Sequence, residues 1–140
     1  MDCSLCDVPS YRTLVSSWAS FCIAASDPLQ PGHLVVAPIR HVHRLADLPP
    51  DELIDLMSAV ARVVVAAEIV KSPDRYYVLH IGDKTPHYHF HLVPRSATAP
   101  SLGPFIFGPD GWRQELSRTS PGDQQAVCES IKDLLTRPSR

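Results

Sequence analysis

The sequence predicts an α+β fold: an antiparallel β-sheet of about five strands, a long central helix and a C-terminal helix. Three observations predict it. Short apolar runs of strand length, several of them β-branched, are punctuated by prolines and glycines. One stretch near the middle repeats its apolar residues at helical spacing. The elements follow in the order βββαββα, which groups strands instead of alternating them with helices. At 140 residues, 44% of them hydrophobic, the chain has material for one domain spanning 1–140 with its own core.

After a Cys-containing start, "YRTLVSSWASFCIAAS" offers two short strands, around 12–16 and 19–25. "DPLQPG" at 27–32 is a turn by its prolines and glycine. "HLVVAPI" at 33–39 is a β-branched apolar run of buried-strand length. "LPPDEL" starts a helix, with Pro at the entry and two acids where the helix dipole favours them. Leu53, Leu56, Met57, Val60, Val63, Val64 and Val70 continue it to about Lys71. "YYVLHIG" at 76–82 and "HYHFHLVP" at 87–94 form an antiparallel pair joined by "DKTP". Residues 96–111 are loop-like, rich in Pro, Ser and Gly, and a last helix covers about 121–136.

Several function classes are excluded as expectations. The net charge is −2 and the thirteen Lys and Arg are scattered, which argues against nucleic-acid binding. The most apolar run, 56–70, is interrupted by Arg62 and Glu68 and falls short of the roughly 20 residues a membrane span needs. The start lacks the basic and apolar regions of a secretory signal. A cytoplasmic protein is expected, with its four cysteines reduced and in need of a role other than disulfides.

"PHYHFHLVPR", residues 86–95, carries the densest chemistry. On a strand, His87, His89 and His91 share one face, while Tyr88, Phe90 and Leu92 take the other and pack as core against the long helix. Three imidazoles on one face each need a partner and each titrates near neutrality. A solvated face is the bland explanation. A metal site is the second, with two or three of the imidazoles as ligands. The third is a nucleophilic site, in which one neutral imidazole attacks phosphorus and its neighbours hold the phosphoryl oxygens.

"HYHFHLVPR" resembles the His-φ-His-φ-His-φ-φ signature of the histidine triad family of nucleotide hydrolases and transferases. "PGHLVVAPIRHVHRLADLPPDEL" is similar to that family's second block, and the likeness runs over roughly residues 3–95. The resemblance implies that His89 attacks the α-phosphate of a nucleotide conjugate to form a nucleotidyl-histidine, and that His91 contacts the same phosphate. It implies no metal on the phosphate, and a homodimer in which the long helix and an edge strand meet their copies.

Cys3 and Cys6 form a C-x-x-C pair too close to the start for the strand that a redox motif follows. Two unrelated small residues, or half of a zinc site, are the remaining readings. Zinc needs two more nitrogen or sulfur ligands, and His41, His43 and His87 are candidates. Zinc-containing members of the resembled family, and the related galactose-1-phosphate uridylyltransferases, imply the set Cys3, Cys6, His41 and His87. Such a closed set is structural and leaves no position for substrate. "HVH" leaves His43 as the alternative to His41.

The remaining candidates are duller. His33 reads as a strand-end histidine bonded to backbone, and His80 as a buried, satisfied one. Cys22 and Cys128 read as core. Trp18 and Trp112 read as packing, with the pocket's edge as the alternative place for Trp112. Two departures from the family pattern bear on substrate. Ala25 stands where an acid or amide would hold the ribose hydroxyls, leaving Asp27 or Ser26 to substitute. "GDKTPH" replaces the usual phosphate-binding stretch, and Lys84 and Thr85 supply a cation and a hydroxyl instead. Two other functions compete with the enzyme: a nucleotide-binding regulatory module with little turnover, and a hydrolase with all three triad histidines on one metal. The helix also carries Ile54, Val65 and Ile69 away from its sheet-facing residues, Leu53, Leu56, Met57, Val60 and Val64. A second apolar stripe needs cover, from a partner subunit or from the C-terminal helix.

Overall fold

The computed structural model describes residues 3–73, 75–95, 103 and 121–138. Strands β1 (Thr13–Ser16), β2 (Ser20–Ala24) and β3 (Leu34–Pro38) precede helix α1 (Pro50–Lys71). Strands β4 (Arg75–Leu79) and β5 (Phe90–Arg95) follow it, and helix α2 (Pro121–Thr136) closes the fold. They form one five-stranded sheet in the order β1-β2-β3-β5-β4, with every neighbouring pair antiparallel. The loop expected over 96–111, apart from Gly103, and Trp112 lie outside the described residues.

Period-2 alternation splits the sheet into two faces. Leu34 and Val36 of β3, Cys22 of β2 and Leu92 of β5 pack against Leu56, Val60, Val63 and Ala67 of α1 and Ile131 of α2. Phe21, Ile23, Val35 and Ala37 form a smaller cluster on the opposite face, covered by Leu5 of the N-terminal segment. Strand β3 is buried on both faces, which explains its unbroken apolar run. The second face leads to the site.

Helix α1 begins at Pro50 after Pro49, and its N-terminal turn holds Asp51 and Glu52. It ends where Ser72 turns left-handed (φ 45°) and donates its N–H to the Glu68 carbonyl at 2.8 Å. Leu56, Val60, Val63 and Ala67 form its buried stripe. Leu56 is wholly buried, so truncation to Ala costs about 2–5 kcal/mol. Met57, expected against the sheet, is instead on the outer side at 44% exposure. It joins Ile54, Val65 and Ile69, exposed by 68%, 58% and 65%. Helix α2 packs on α1 and β1 and leaves that outer stripe open.

Three further expectations need correction. Strand β5 begins only at Phe90, so His87 and His89 precede it, and the β4–β5 connection is 80–89 instead of "DKTP" alone. The β3–β5 ladder stops at Val36↔Phe90, two residues before β3 ends, and the Tyr88 N–H turns instead to the Val42 carbonyl, at 2.7 Å. His80 is exposed, not buried, though it is satisfied, and Trp18 is 64% exposed at the β1–β2 turn. Cys22 and Cys128 are core residues as expected. No helix among the described residues is long and apolar enough to cross a membrane.

Candidate active site and metal centre

Register places the histidines. His91 lies opposite Val35, so its side chain rises from the second face of the sheet, beside β3. His33 precedes β3 on the same face, two residues from Val35. Its Nε2 lies 2.9 Å from Nδ1 of His91, and Nε2 of His91 lies 3.1 Å from Nε2 of His89. Nδ1 of His89 lies 2.7 Å from the His87 carbonyl.

Hydrogen-bond logic assigns every proton in this relay. The Leu29 N–H donates to Nδ1 of His33 at 3.1 Å, so that nitrogen is an acceptor and His33 carries its proton on Nε2. His33 therefore donates to Nδ1 of His91, whose own proton sits on Nε2. At the other end a carbonyl only accepts, so His89 is protonated on Nδ1. Its Nε2 is left unprotonated, with a lone pair that accepts the N–H of His91, and both residues line the cavity. Burial keeps the relay neutral. It pushes His33 down to about 3, with His91 beside it adding to the effect. His91 falls to about 4, from burial and then the neighbouring His89 and His80. His89 is lowered too, by burial, against the raising effect of its bond to the His87 carbonyl.

Two surrounding contacts hold the relay in place. His80 donates from Nδ1 to the His89 carbonyl at 2.7 Å and stacks on Tyr88 with ring centroids 4.0 Å apart. Its ring takes the place of the backbone donor lost where the ladder stops. Gly82 (φ 77°) passes over that ring so closely that a Cβ would sit 2.9 Å from Nε2 of His80. The turn before His33 is held by Gln124 of α2. Its Oε1 accepts the Gly32 N–H at 2.8 Å, and its Nε2 donates to the His33 carbonyl at 2.9 Å. Gly32 itself has φ 94°, and the Tyr76 hydroxyl donates to its carbonyl at 3.1 Å.

The cavity in front of His89 and His91 has a volume of about 470 Å³. Asp27, Lys84 and Thr85, expected to contact substrate, all line it, as do Ala25, Ser26 and Arg12. Ile23, Val35 and Leu5 supply apolar wall.

His87 faces elsewhere. It is wholly buried, and its Nε2 donates to the Pro38 carbonyl at 2.8 Å, which leaves Nδ1 unprotonated. That Nδ1 lies 3.4 Å from Sγ of Cys3 and 3.5 Å from Sγ of Cys6. Nδ1 of His41 lies 3.1 Å from Sγ of Cys6. The four ligand atoms of Cys3, Cys6, His41 and His87 fall within 4.8 Å of one another and could hold a metal ion. Tetrahedral zinc with ordinary bond lengths separates S from N by roughly 3.5 Å, so the donor set and spacing fit. His43 is outside the cluster, with its Nε2 3.2 Å from Nε2 of His41. Arg40, next to His41, grips Glu52 of α1 with a two-pronged contact at 2.6–3.0 Å, which fixes this turn to the helix. The three triad histidines do not converge on one point, so a single metal held by all three has no support.

Sequence reasoning placed His89 and His91 together but missed His33. Its backbone bond is real, yet its other nitrogen belongs to the relay. The signal was the Gly-His pair at the head of a strand, which acquires meaning only once β3 and β5 are neighbours. His80 and Gln124 gave no local signal at all.

An antiparallel five-stranded sheet with this histidine arrangement beside its central strands defines the histidine triad class. The HIT domain model matches residues 13–98, and the chain belongs to the HIT family. It is 39% identical over 90 residues to the asymmetrical bis(5'-nucleosyl)-tetraphosphatase of Schizosaccharomyces pombe, covering 61% of this chain and 47% of that protein. It is 30% identical over 94 residues to adenosine 5'-monophosphoramidase HNT1 of Saccharomyces cerevisiae, covering 64% and 56%. The chain thus spans about half the length of these curated relatives. Among solved structures, a histidine triad nucleotide-binding protein from Sulfolobus tokodaii superposes with a TM-score of 0.73 at 18% identity, covering 95% of this chain and 91% of that one. A zinc-bound histidine triad family protein from Mycobacterium smegmatis gives 0.69 at 21% identity, covering 95% and 92%. These two likenesses are of fold.

Proposed function

We propose that the protein is a nucleotide hydrolase or nucleotidyl transferase acting at the α-phosphate of a nucleotide conjugate, such as a dinucleoside polyphosphate or a nucleoside phosphoramidate. The observation that carries this reading is the unprotonated Nε2 of His89, a residue lining the cavity, kept neutral by burial and capped only by the N–H of His91. On this reading Nε2 attacks the α-phosphorus, an N–P bond forms, and the bond to the leaving group breaks with its electron pair departing on that group. His91 turns its Nε2–H from His89 to a phosphoryl oxygen, so the lone pair is released as the acceptor arrives. Lys84 and Thr85 add a cation and a hydroxyl to the same phosphate. Water, or another acceptor, then attacks phosphorus, the N–P bond breaks with its electron pair returning to Nε2 of His89, and the acceptor's proton passes to solvent. Asp27 takes ribose hydroxyls. The two relatives named as a tetraphosphatase and a phosphoramidase support the substrate class. A panel of adenylated and guanylated conjugates given to the purified protein tests it, and no turnover on any of them would count against it.

Ala25 favours a second reading, a nucleotide-binding module with little turnover, because a buried methyl offers the ribose no hydrogen bond. Nucleotide binding without cleavage across that panel would select it.

Three assignments accompany the enzyme reading. The Cys3, Cys6, His41 and His87 cluster holds structural zinc, which ties the N-terminus and the 38–41 turn to the residues leading into His89. The outer stripe of α1 and the edge strand β4, where Val78 is 45% exposed, meet a second copy in a homodimer. The protein is a single domain over 1–140 and works in the cytoplasm, without nucleic-acid or membrane partners. Among its cysteines, two in the proposed zinc set and two in the core, none forms a disulfide, which supports the compartment.

A further inference from the structure

We infer that the cavity contains a second anion subsite, formed by Arg12 and Ser26, which takes a phosphate carried on the sugar of the nucleotide. The favoured substrates are then conjugates of nucleoside bisphosphates, with one phosphate at the 5' position and another at the 2' or 3' position. The inference rests on reading the cavity as a nucleotide site.

Arg12 closes the short 3-10 turn Ser10–Arg12 ahead of β1 and lines the cavity. Its Nη2 donates to the Ser26 hydroxyl at 2.7 Å. Arg40 and Arg44 each grip a carboxylate, at 2.6 Å. Arg12, partly buried, has only this neutral hydroxyl, and no carboxylate lies in ion-pair range of it among the described residues. A guanidinium offers five donors in a rigid plane suited to phosphate, and the Ser26 bond uses one.

The register sets its distance from the histidines. His91 is opposite Val35, and Val35 is opposite Ile23. Ala25 continues that pairing by donating its N–H to the His33 carbonyl at 3.0 Å. From β5 to β2 is two strand spacings, about 10 Å, and the Arg12–Ser26 bond lies just past Ala25. The floor between has no charged side chain: Val35, Ile23 and Ala25, with the imidazole of His33 beside them. A polyphosphate chain reaching from His89 to Arg12 would lay its anions along a floor that offers them no cation, at a desolvation cost. An uncharged sugar between two phosphates fits the same span.

Ala25 cannot hold a free sugar hydroxyl, whereas the fork beside it can hold a phosphorylated one. Dinucleotide sites show the same exchange, in which an acid takes the free 2'-hydroxyl and an arginine takes the 2'-phosphate. Asp27, exposed on the same wall, is left for the remaining hydroxyl. A neighbouring cavity of about 530 Å³ shares Arg12, Ser26 and Asp27, so a phosphate at this point keeps part of its hydration.

Calorimetry on the full chain tests the subsite, using adenosine 5'-monophosphate and the adenosine 2',5'- and 3',5'-bisphosphates as probes. One bisphosphate should bind roughly tenfold or more tightly than the monophosphate, the order expected for a charge-assisted fork. In Arg12→Gln that ratio should fall close to one, and Arg12→Lys should keep part of it. Equal affinity of mono- and bisphosphate in the wild type overturns the subsite, as does a preference that survives Arg12→Gln. Either result leaves the nucleotide reading standing wherever the monophosphate binds. Failure of all three probes to bind, with no turnover on any conjugate, removes the nucleotide reading and the subsite together.

Discussion

Nε2 of His33 donates to Nδ1 of His91 across 2.9 Å, although 58 positions separate the two residues in the chain. This contact decides which nitrogen of His91 carries its proton, the one that the proposed mechanism offers to substrate. Removing it in His33→Ala frees the tautomer, and kcat should fall by roughly tenfold to a hundredfold, with KM moving less. His33→Gln places an amide N–H near the lost Nε2 and should recover part of the rate. Equal kcat in wild type and His33→Ala, measured on the best substrate of the panel, would leave His33 without a role in the relay.

The same burial makes stability depend on pH. His33 is held down to about 3 and His91 to about 4, while an unfolded histidine titrates near 6.5. As pH falls below about 6.5 the unfolded chain takes up protons that the folded chain refuses, so stability drops. The contribution is therefore complete above about pH 6.5 and is lost as pH falls toward about 4, where the share of His91 levels off. Melting temperatures from pH 8 to pH 4 should decline less steeply in His33→Gln than in wild type. Parallel profiles would show that His33 does not contribute to the acid sensitivity.

Elemental analysis of protein purified without chelator should find about one zinc per chain. Cys3→Ser or Cys6→Ser should lower the melting temperature by about 5 °C or more while changing kcat little, because none of the four cluster residues lines the cavity of His89 and His91. Absence of zinc would withdraw the metal assignment.

Light scattering at micromolar concentration should give twice the 15.5 kDa chain mass. Val65→Glu places a charge in the middle of the outer stripe of α1 and should return the monomer mass while the chain stays folded. A wild-type mass of 15.5 kDa would contradict the homodimer.

Most of the fold was legible because each element states its own period. The helical spacing from Leu53 to Val70 and the β-branched run of β3 both match the structure to within a residue or two. Met57 is the exception in α1, since an apolar residue beside the buried stripe has no local mark saying which side it takes. The triad and the C-x-x-C pair were legible as chemistry, and the cluster geometry separates His41 from His43 in a way spacing could not. The starting point of β5 was illegible, because it depends on the Val42 carbonyl, far off in the chain, accepting the Tyr88 N–H. His33, His80, Gln124 and Arg12 share that cause. Each gains its role from a partner on another strand or helix, which no window of sequence contains.

His89→Asn puts the nucleophile itself to the test. An asparagine amide can still donate to the His87 carbonyl in place of Nδ1, but it has no atom equivalent to the Nε2 lone pair. Turnover should be measured for wild type and His89→Asn on the conjugate that the wild type cleaves fastest, beside a melting curve for each. The expected result is a loss of about a thousandfold or more in kcat, with the melting temperature nearly unchanged. A folded His89→Asn protein that turns over at close to the wild-type rate would contradict covalent catalysis by His89.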